Sequence, residues 1–213
     1  MTSATATAAH APSHTAITPN ILYFGTPVAL LTTENDDGSP NLAPVSSVWA
    51  LGQTVVLGLG ADSRTAANLA LRPELVINLP SPDLWGAVER LAPLTGSTPV
   101  PPDKHARGYR YEPDKFTAAG LTPAPSESVR APRVAECPLQ LEARIIRTSP
   151  DAQGHFLIVE CAVTRVHADR HLVVPGTQHI DPTRWSPLIF NRHYQGLAPE
   201  LGHCFTSETP TER

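Results

Sequence analysis

A chain of 213 residues with a formal net charge of −4, 41% hydrophobic and 17% charged residues, has room for one substantial domain and no general attraction to nucleic acid or to an anionic membrane. Its 23 prolines are spread along the chain, which predicts many stiff loops and not one disordered block, and of its 16 basic residues only Lys104 and Lys115 are lysines. The 3 cysteines, Cys137, Cys161 and Cys204, lie far apart without a C-x-x-C pair, which argues against a disulfide framework or structural zinc; no apolar run approaches the ~18 residues of a bilayer span, so a cytoplasmic protein with free thiols is expected.

The first twenty residues are rich in Ala, Thr, Ser and His and lack the basic start and apolar centre of a secretory signal, so they read as a disordered tail. One domain is expected over residues 21–205, with a short tail at 206–213. Residues 27–33 read as a buried strand, and residues 34–39 as a hairpin turn with Gly38 free to take positive φ. The next strand carries Asn41-Leu42-Ala43-Pro44-Val45-Ser46-Ser47-Val48-Trp49, and residues 50–53 turn the chain into the apolar run 54–59. Three strands joined by short turns suggest an antiparallel meander. Asp62 or Ser63 then caps a helix that Pro73 stops, and residues 75–79 form a short buried strand. Ser81-Pro82-Asp83 starts a second helix, whose Leu84, Val88 and Leu91 fall at i, i+4 and i+7 and share one face.

Residues 96–113 form a proline-rich loop with Lys104, His105, Arg107 and Arg110, long enough to act as a lid or a partner contact. Asp114 to Ala119 is a helical turn ended by Gly120. Residues 139–145 alternate apolar and polar, residues 150–154 turn, and residues 156–166 return as a strand. The segment 172–205 is irregular. Five or more short strands with two or three inserted helices predict a mainly β fold, a closed or nearly closed barrel with helical covers.

The main candidate site is Ser63-Arg64-Thr65. A helix N-terminus with free amides, two hydroxyls and a guanidinium suits a phosphate, whereas the ordinary alternative is a capped helix with an exposed arginine. The small polar residues of the preceding strand suit the edge of a flat polar ring, so a phosphate-bearing cofactor is indicated. Gly58-Leu59-Gly60 lacks the third glycine of a dinucleotide fold, since position 63 is Ser, and no second βαβ unit follows. His167 and His171 stand four apart, yet the region is broken by proline, so anchoring roles are preferred to metal ligation and no metal site is expected. Cys137 and Cys161 have no base nearby in sequence, and no G-x-S-x-G, Walker A or paired-carboxylate signature occurs. Trp49, Trp85 and Trp185 read as core or interface anchors.

Taken together, the segments resemble the flavin reductase-like family of FMN-binding split-barrel proteins, on its flavoredoxin-like side. The resemblance rests on Pro27-Val28-Ala29-Leu30-Leu31-Thr32-Thr33, Asn41-Leu42-Ala43-Pro44-Val45-Ser46-Ser47, Ser63-x-Thr65-x-x-Asn68 and Leu75-Val76-Ile77-Asn78-Leu79-Pro80. Asp114-Lys115-Phe116, Gly120-Leu121-Thr122 and Glu136-Cys137-Pro138-Leu139 extend it. It implies a split β-barrel homodimer with FMN at the subunit interface. Ala43, Pro44, Val45, Ser46, Ser47 and Val48 would run along the flavin ring, while Ser63, Arg64, Thr65 and Asn68 would hold the phosphate and ribityl chain. It further implies hydride transfer from NADH or NADPH to FMN, with reduced flavin passed in some members to a partner monooxygenase. The cofactor carries that chemistry, so no protein acid, base or nucleophile is required. His193 and Tyr194 would act as donors or stacking groups on the nicotinamide side. The alternatives are a flavin enzyme acting directly on an organic substrate and a non-catalytic flavin- or haem-binding protein.

Overall fold

The computed structural model describes residues 14–22, 24–199 and 201. Cys204, His203, the tail at 206–213 and most of the N-terminal tail lie outside the described residues. Seven strands form one antiparallel sheet: β1 (Ala29–Glu34), β2 (Pro40–Val45), β3 (Val48–Leu51), β4 (Thr54–Gly60), β5 (Glu74–Leu79), β6 (Leu139–Pro150) and β7 (Phe156–Ala168). Their spatial order is β2-β1-β5-β6-β7-β4-β3. Two strands adjacent in sequence, β2 and β3, therefore occupy opposite edges.

That order fixes the shape. Six steps of about 4.8 Å make a flat seven-stranded sheet about 29 Å wide. The three Cα steps from Val45 to Val48 reach at most about 11 Å. The sheet must curl until its edges meet at Ser46-Ser47, which gives a barrel split along one seam. The Gly58 amide donates to the Ser47 carbonyl at 2.8 Å and pins the link across β4. The single strand expected over residues 41–49, and the meander built on it, are corrected by this arrangement. β2 pairs with β1 and β3 with β4, and nothing pairs β2 with β3. Pro40 and Pro44, which cannot donate to a ladder, suit the edge position of β2.

Inside the barrel, alternate residues of four strands pack together, among them Leu31, Leu57, Ile77, Val159 and Cys161. The opposite face of β1 and β2 is covered by two of the four α-helices, α1 (Arg64–Leu71), α2 (Trp85–Leu91), α3 (Pro102–Ala106) and α4 (Lys115–Ala119), while Val76 on that face of β5 packs against Val129 and Ala131. Leu30 and Leu42 from the sheet meet Val88 and Leu91 of α2 and Phe116 of α4. Strands covered on both sides read as continuous apolar runs, which is why residues 75–79 look buried in sequence.

The helix ends follow local chemistry. Ser63 caps α1, Asp114 caps α4, and Gly120 ends α4 in the left-handed region at φ 66°. Before α2 the chain forms a short 3₁₀ turn over Pro82–Leu84, and the Ser81 hydroxyl bonds the Asp83 carboxylate in place of the backbone cap expected of it. The 96–113 loop is partly ordered, with α3 and a two-residue strand, Arg110–Tyr111, running parallel to Leu94–Thr95. Trp49 and Trp85 are 58% and 53% exposed, so neither anchors the core.

A Cβ at position 58 would sit 2.9 Å from Ser47 Cβ, closer than packed carbons allow. Gly58→Ala is expected to destabilise the fold by about 1–3 kcal/mol through this overpacking, lowering the urea midpoint. An unchanged midpoint would show that the seam tolerates separation.

Candidate functional site

A cleft of about 320 Å³ opens where β2, the turn from β4 into α1 and the 92–115 segment meet. The N-terminus of α1 forms one wall. Ser63 Oγ accepts the Ala66 amide at 3.1 Å and the Ser63 carbonyl accepts the Ala67 amide at 3.1 Å. The Arg64 and Thr65 amides, first in the helix, keep no intrahelical acceptor. Arg64 Nε donates to the Gly96 carbonyl at 2.9 Å, which sets the guanidinium at the cleft. Position 96 has no room for a side chain, because a Cβ there would lie 2.7 Å from Asn41 Oδ1 and 3.1 Å from Arg64 Cγ.

Three further cations share this wall. Lys115, from α4, is only 4% exposed and donates from Nζ to Asn41 Oδ1 at 3.0 Å. Asn41 Nδ2 in turn donates to Thr65 Oγ1 at 3.2 Å and to Thr33 Oγ1 at 3.3 Å. Burial, reinforced by the charges of Lys104 and Arg64, pushes the Lys115 ammonium down to a pKa of about 8. Lys104 pairs with Asp62 at 3.2 Å, and Arg107 pairs with Asp103 at 2.8 Å while lying 5.4 Å from the Tyr109 ring centre. Among the described residues neither Arg64 nor Lys115 has a carboxylate partner within ion-pair distance. Two uncompensated cations and two free amides on one wall make a site for an anion.

Past Pro44, Val45, Ala92 and Tyr109 the cleft continues into a second hollow of about 260 Å³, which reaches Ser46 and Tyr194. The Tyr194 hydroxyl donates to Glu89 Oε2 at 2.9 Å, and burial with that carboxylate raises its pKa to about 12. His193 faces a neighbouring hollow with Trp85 and Tyr194.

Of the residues singled out in the sequence, Ala43, Pro44, Val45, Ser63, Arg64 and Thr65 line the cleft together, and Ser46 lines its continuation. Tyr194 lines that continuation too, and the rest lie elsewhere. Ser47 is exposed at the seam and Val48 packs into the barrel core. Asn68 is buried and donates to Thr33 Oγ1 at 3.0 Å and Asn35 Oδ1 at 2.9 Å, so it holds α1 against β1. His167 and His171 serve different partners, Glu142 at 2.7 Å and Asp169 at 2.8 Å. Cys137 and Cys161 are buried and desolvation raises both thiols, Cys161 to a pKa of about 12.

Residues 21–198 match the model of the flavin reductase like domain. The chain belongs to the flavin reductase-like family. Flavin reductase-type redox chemistry follows from that membership at a coarse level, and the family resemblance read from the motifs holds. YdfE of Bacillus subtilis (strain 168), described as an uncharacterized protein, is 46% identical over 196 residues, spanning 91% of this chain and 94% of that one. In structure this family member is similar to the flavoredoxin of Desulfovibrio vulgaris (Miyazaki F), with a TM-score of 0.75 at 21% identity, covering 92% of this chain and 100% of that one. It is also similar to nitrilotriacetate monooxygenase component B from Bacillus cereus, with a TM-score of 0.71 at 19% identity, covering 91% and 100%. At these identities the structural likenesses speak to the fold. Among the described residues no helix is long and apolar enough to cross a membrane.

Sequence reasoning missed Asn41, Gly96, Lys104, Arg107 and Lys115 as parts of this cleft. One signal was present: the chain has two lysines among its 16 basic residues, and both line the cleft. Because the folded Lys115 pKa lies below its ordinary value of 10.5, its charge is lost from the folded protein as pH rises through about 8. Sulfate, whose own charge is constant there, is expected to bind more weakly through that interval, and Lys115→Met to bind it weakly with a flatter profile. Stability should show the opposite trend, rising between pH about 8 and 10.5 in the native protein relative to the variant, since the unfolded chain then holds the extra proton. Calorimetric titration of sulfate across this range, with urea melts alongside, reads both.

Proposed function

We propose that the protein is an NAD(P)H-dependent flavin reductase that binds FMN in the cleft, works as a homodimer and supplies reduced flavin to a partner monooxygenase. The observation that carries this reading is the convergence of Arg64, Lys115 and the free amides of α1 on one wall. That donor set suits a phosphate dianion. The neutral strand Ala43-Pro44-Val45 beside it suits a flat ring, and Ser46 offers a hydroxyl at the far end. Bound flavin would supply the redox chemistry, accepting a hydride from the nicotinamide, and the protein's share is to hold and orient it.

A mononucleotide is favoured over a dinucleotide. Beyond Arg64 and Gly96 the neighbouring hollow is lined by Asp36, Asp37 and Glu112, which would repel a second phosphate. Tyr194 stays a neutral phenol at physiological pH and offers a ring face, and His193 stands next to it. The homodimer is motivated by exposed apolar side chains of the outer strands, Trp49 and Leu51 of β3 and, offset along the strand direction, Phe156 and Ile158 of β7; directly across β4, Trp49 is level with Glu160 and Leu51 with Ala162. Such side chains are the kind a second copy would cover. The structural similarity to a protein named as a monooxygenase component motivates the partner.

The test begins with the visible spectrum of the purified protein and added FMN, followed by NADH and NADPH without oxygen. Bleaching at catalytic protein concentration is the expected result and identifies the donor. Bound flavin that neither nucleotide reduces would shift the case to a carrier or a substrate-specific oxidoreductase, and absence of bound flavin would overturn the reading. Ser63→Ala combined with Arg64→Ala is expected to weaken FMN binding about 100-fold or more, from two lost contacts of about 1.5–3 kcal/mol each.

A further inference from the structure

The cleft is lined by four cations, Arg64, Lys104, Arg107 and Lys115, and, among the described residues, by one carboxylate, Asp62. A negative charge is out of place there. It lies next to Ser63, the cap of α1, and opposes the anion that the wall suits. The helix cap does not depend on it, since Ser63 Oγ accepts the Ala66 amide at 3.1 Å. Asp62 instead meets α3: Lys104 Nζ lies 3.2 Å from Asp62 Oδ2 and donates to the Asp62 carbonyl at 3.4 Å. The Lys104 side chain is 13% exposed and that of Asp62 is 52% exposed, so the pair stands where the cleft meets solvent. Arg107 differs, because its partner Asp103 belongs to α3 itself and does not line the cleft.

The loop that brings Lys104 to this place is held at its base. The Arg110 amide donates to the Pro93 carbonyl at 3.0 Å and the Glu112 amide to the Thr95 carbonyl at 2.9 Å, which draws the two ends of residues 96–109 together. Pro99, Pro101 and Pro102 stiffen the loop, and α3 buries none of its residues. Lys104 therefore tethers α3 to the turn into α1. A half-exposed pair of this kind is weak, and a phosphate dianion offers the same ammonium more charge than a carboxylate does. The dianion and Asp62 repel each other, so engagement of Lys104 by one weakens its hold on the other.

We propose that Asp62 competes with the ligand's phosphate for Lys104 and so sets how loosely the cleft holds that ligand. The inference rests on the reading of the cleft as the site of a phosphate-bearing cofactor. It supplies what a reductase that gives up its reduced flavin requires: the carboxylate takes back the ammonium as the phosphate departs, and release is fast. Loss of the carboxylate should tighten the site, a gain that a damaged fold does not imitate.

Isothermal titration of the full chain with sulfate, and separately with FMN, would compare the native protein with Asp62→Asn, Lys104→Met and the double variant. Asp62→Asn keeps the side-chain shape and removes the charge, and it is expected to bind sulfate about 5–10-fold more tightly. Lys104→Met should bind sulfate more weakly, and in that background Asp62→Asn should gain about 2-fold at most, because the competition runs through the ammonium. FMN should follow the same order, with its dissociation from Asp62→Asn, read by stopped-flow fluorescence, slowed by a similar factor. Unchanged or weaker sulfate binding by Asp62→Asn would overturn the proposal. So would a gain kept in full beside Lys104→Met, which would reduce Asp62 to a general negative charge. Sulfate and FMN separate the two readings. Tighter sulfate binding by Asp62→Asn in a protein that takes no FMN would sink the cofactor assignment and leave the competition standing, whereas FMN binding with sulfate unmoved by Asp62→Asn would do the reverse.

Discussion

The link between Val45 and Val48 is the constraint on which the molecule depends. It joins opposite edges of a seven-stranded sheet with two intervening residues, so no flat or gently twisted sheet satisfies the chain. Curling produces an interior, filled by Leu31, Leu57, Ile77 and Val159, and an unpaired seam. The seam matters for chemistry because β2 keeps a free edge beside the turn into α1. A fully hydrogen-bonded barrel would close that edge. Gly58 is the contact that lets the link cross β4 closely enough for the curl to hold, since its amide meets the Ser47 carbonyl where a Cβ would meet the Ser47 side chain.

On that scaffold a chain of neutral side chains carries one cation into the interior. Lys115 bonds Asn41, Asn41 bonds Thr33 and Thr65, and Thr33 also receives Asn68. The network ties β1, β2, α1 and α4 to one another, and each polar group in it has a partner, so its burial is affordable. Asn41 supplies only an amide oxygen, however, and an amide oxygen does not neutralise an ammonium. The depressed pKa of Lys115 records that shortfall. A site built this way is better satisfied with an anion beside it than without one, which is the opposite of a structural ion pair such as Arg72 with Glu34.

How much of this could be read in the sequence follows from the range of each interaction. The cap at Ser63, the stop before Pro73, the left-handed Gly38 and Gly120 and the turn after β6 are decided within a few residues, and the structure has them where the sequence puts them. The phosphate-suited turn was legible for the same reason. The parting of β2 from β3 was not, because Ser46-Ser47 looks like the middle of a strand until the partners on either side are known. Asn68 shows a subtler limit. It follows Thr65 at i+3 and so shares its helix face, and packing against Thr33 and Asn35 turns the amide inward. Lys115 was hidden by sequence distance, since it meets Asn41 from 74 residues away.

The separation of charge along the cleft gives the architecture its direction. Cations gather where α1 and α4 meet β2, because a helix start and a buried lysine converge there, while the far end is walled by α2 and the C-terminal hairpin, both presenting apolar or aromatic faces. A ligand with a charged tail and a flat neutral head can lie in only one orientation on such a surface. Reversal would set the phosphate in a hollow lined by no charged residue and leave Arg64 and Lys115 facing a ring. Orientation is therefore enforced by electrostatics at one end and by desolvation at the other, with no need for a specific contact to the ring's centre.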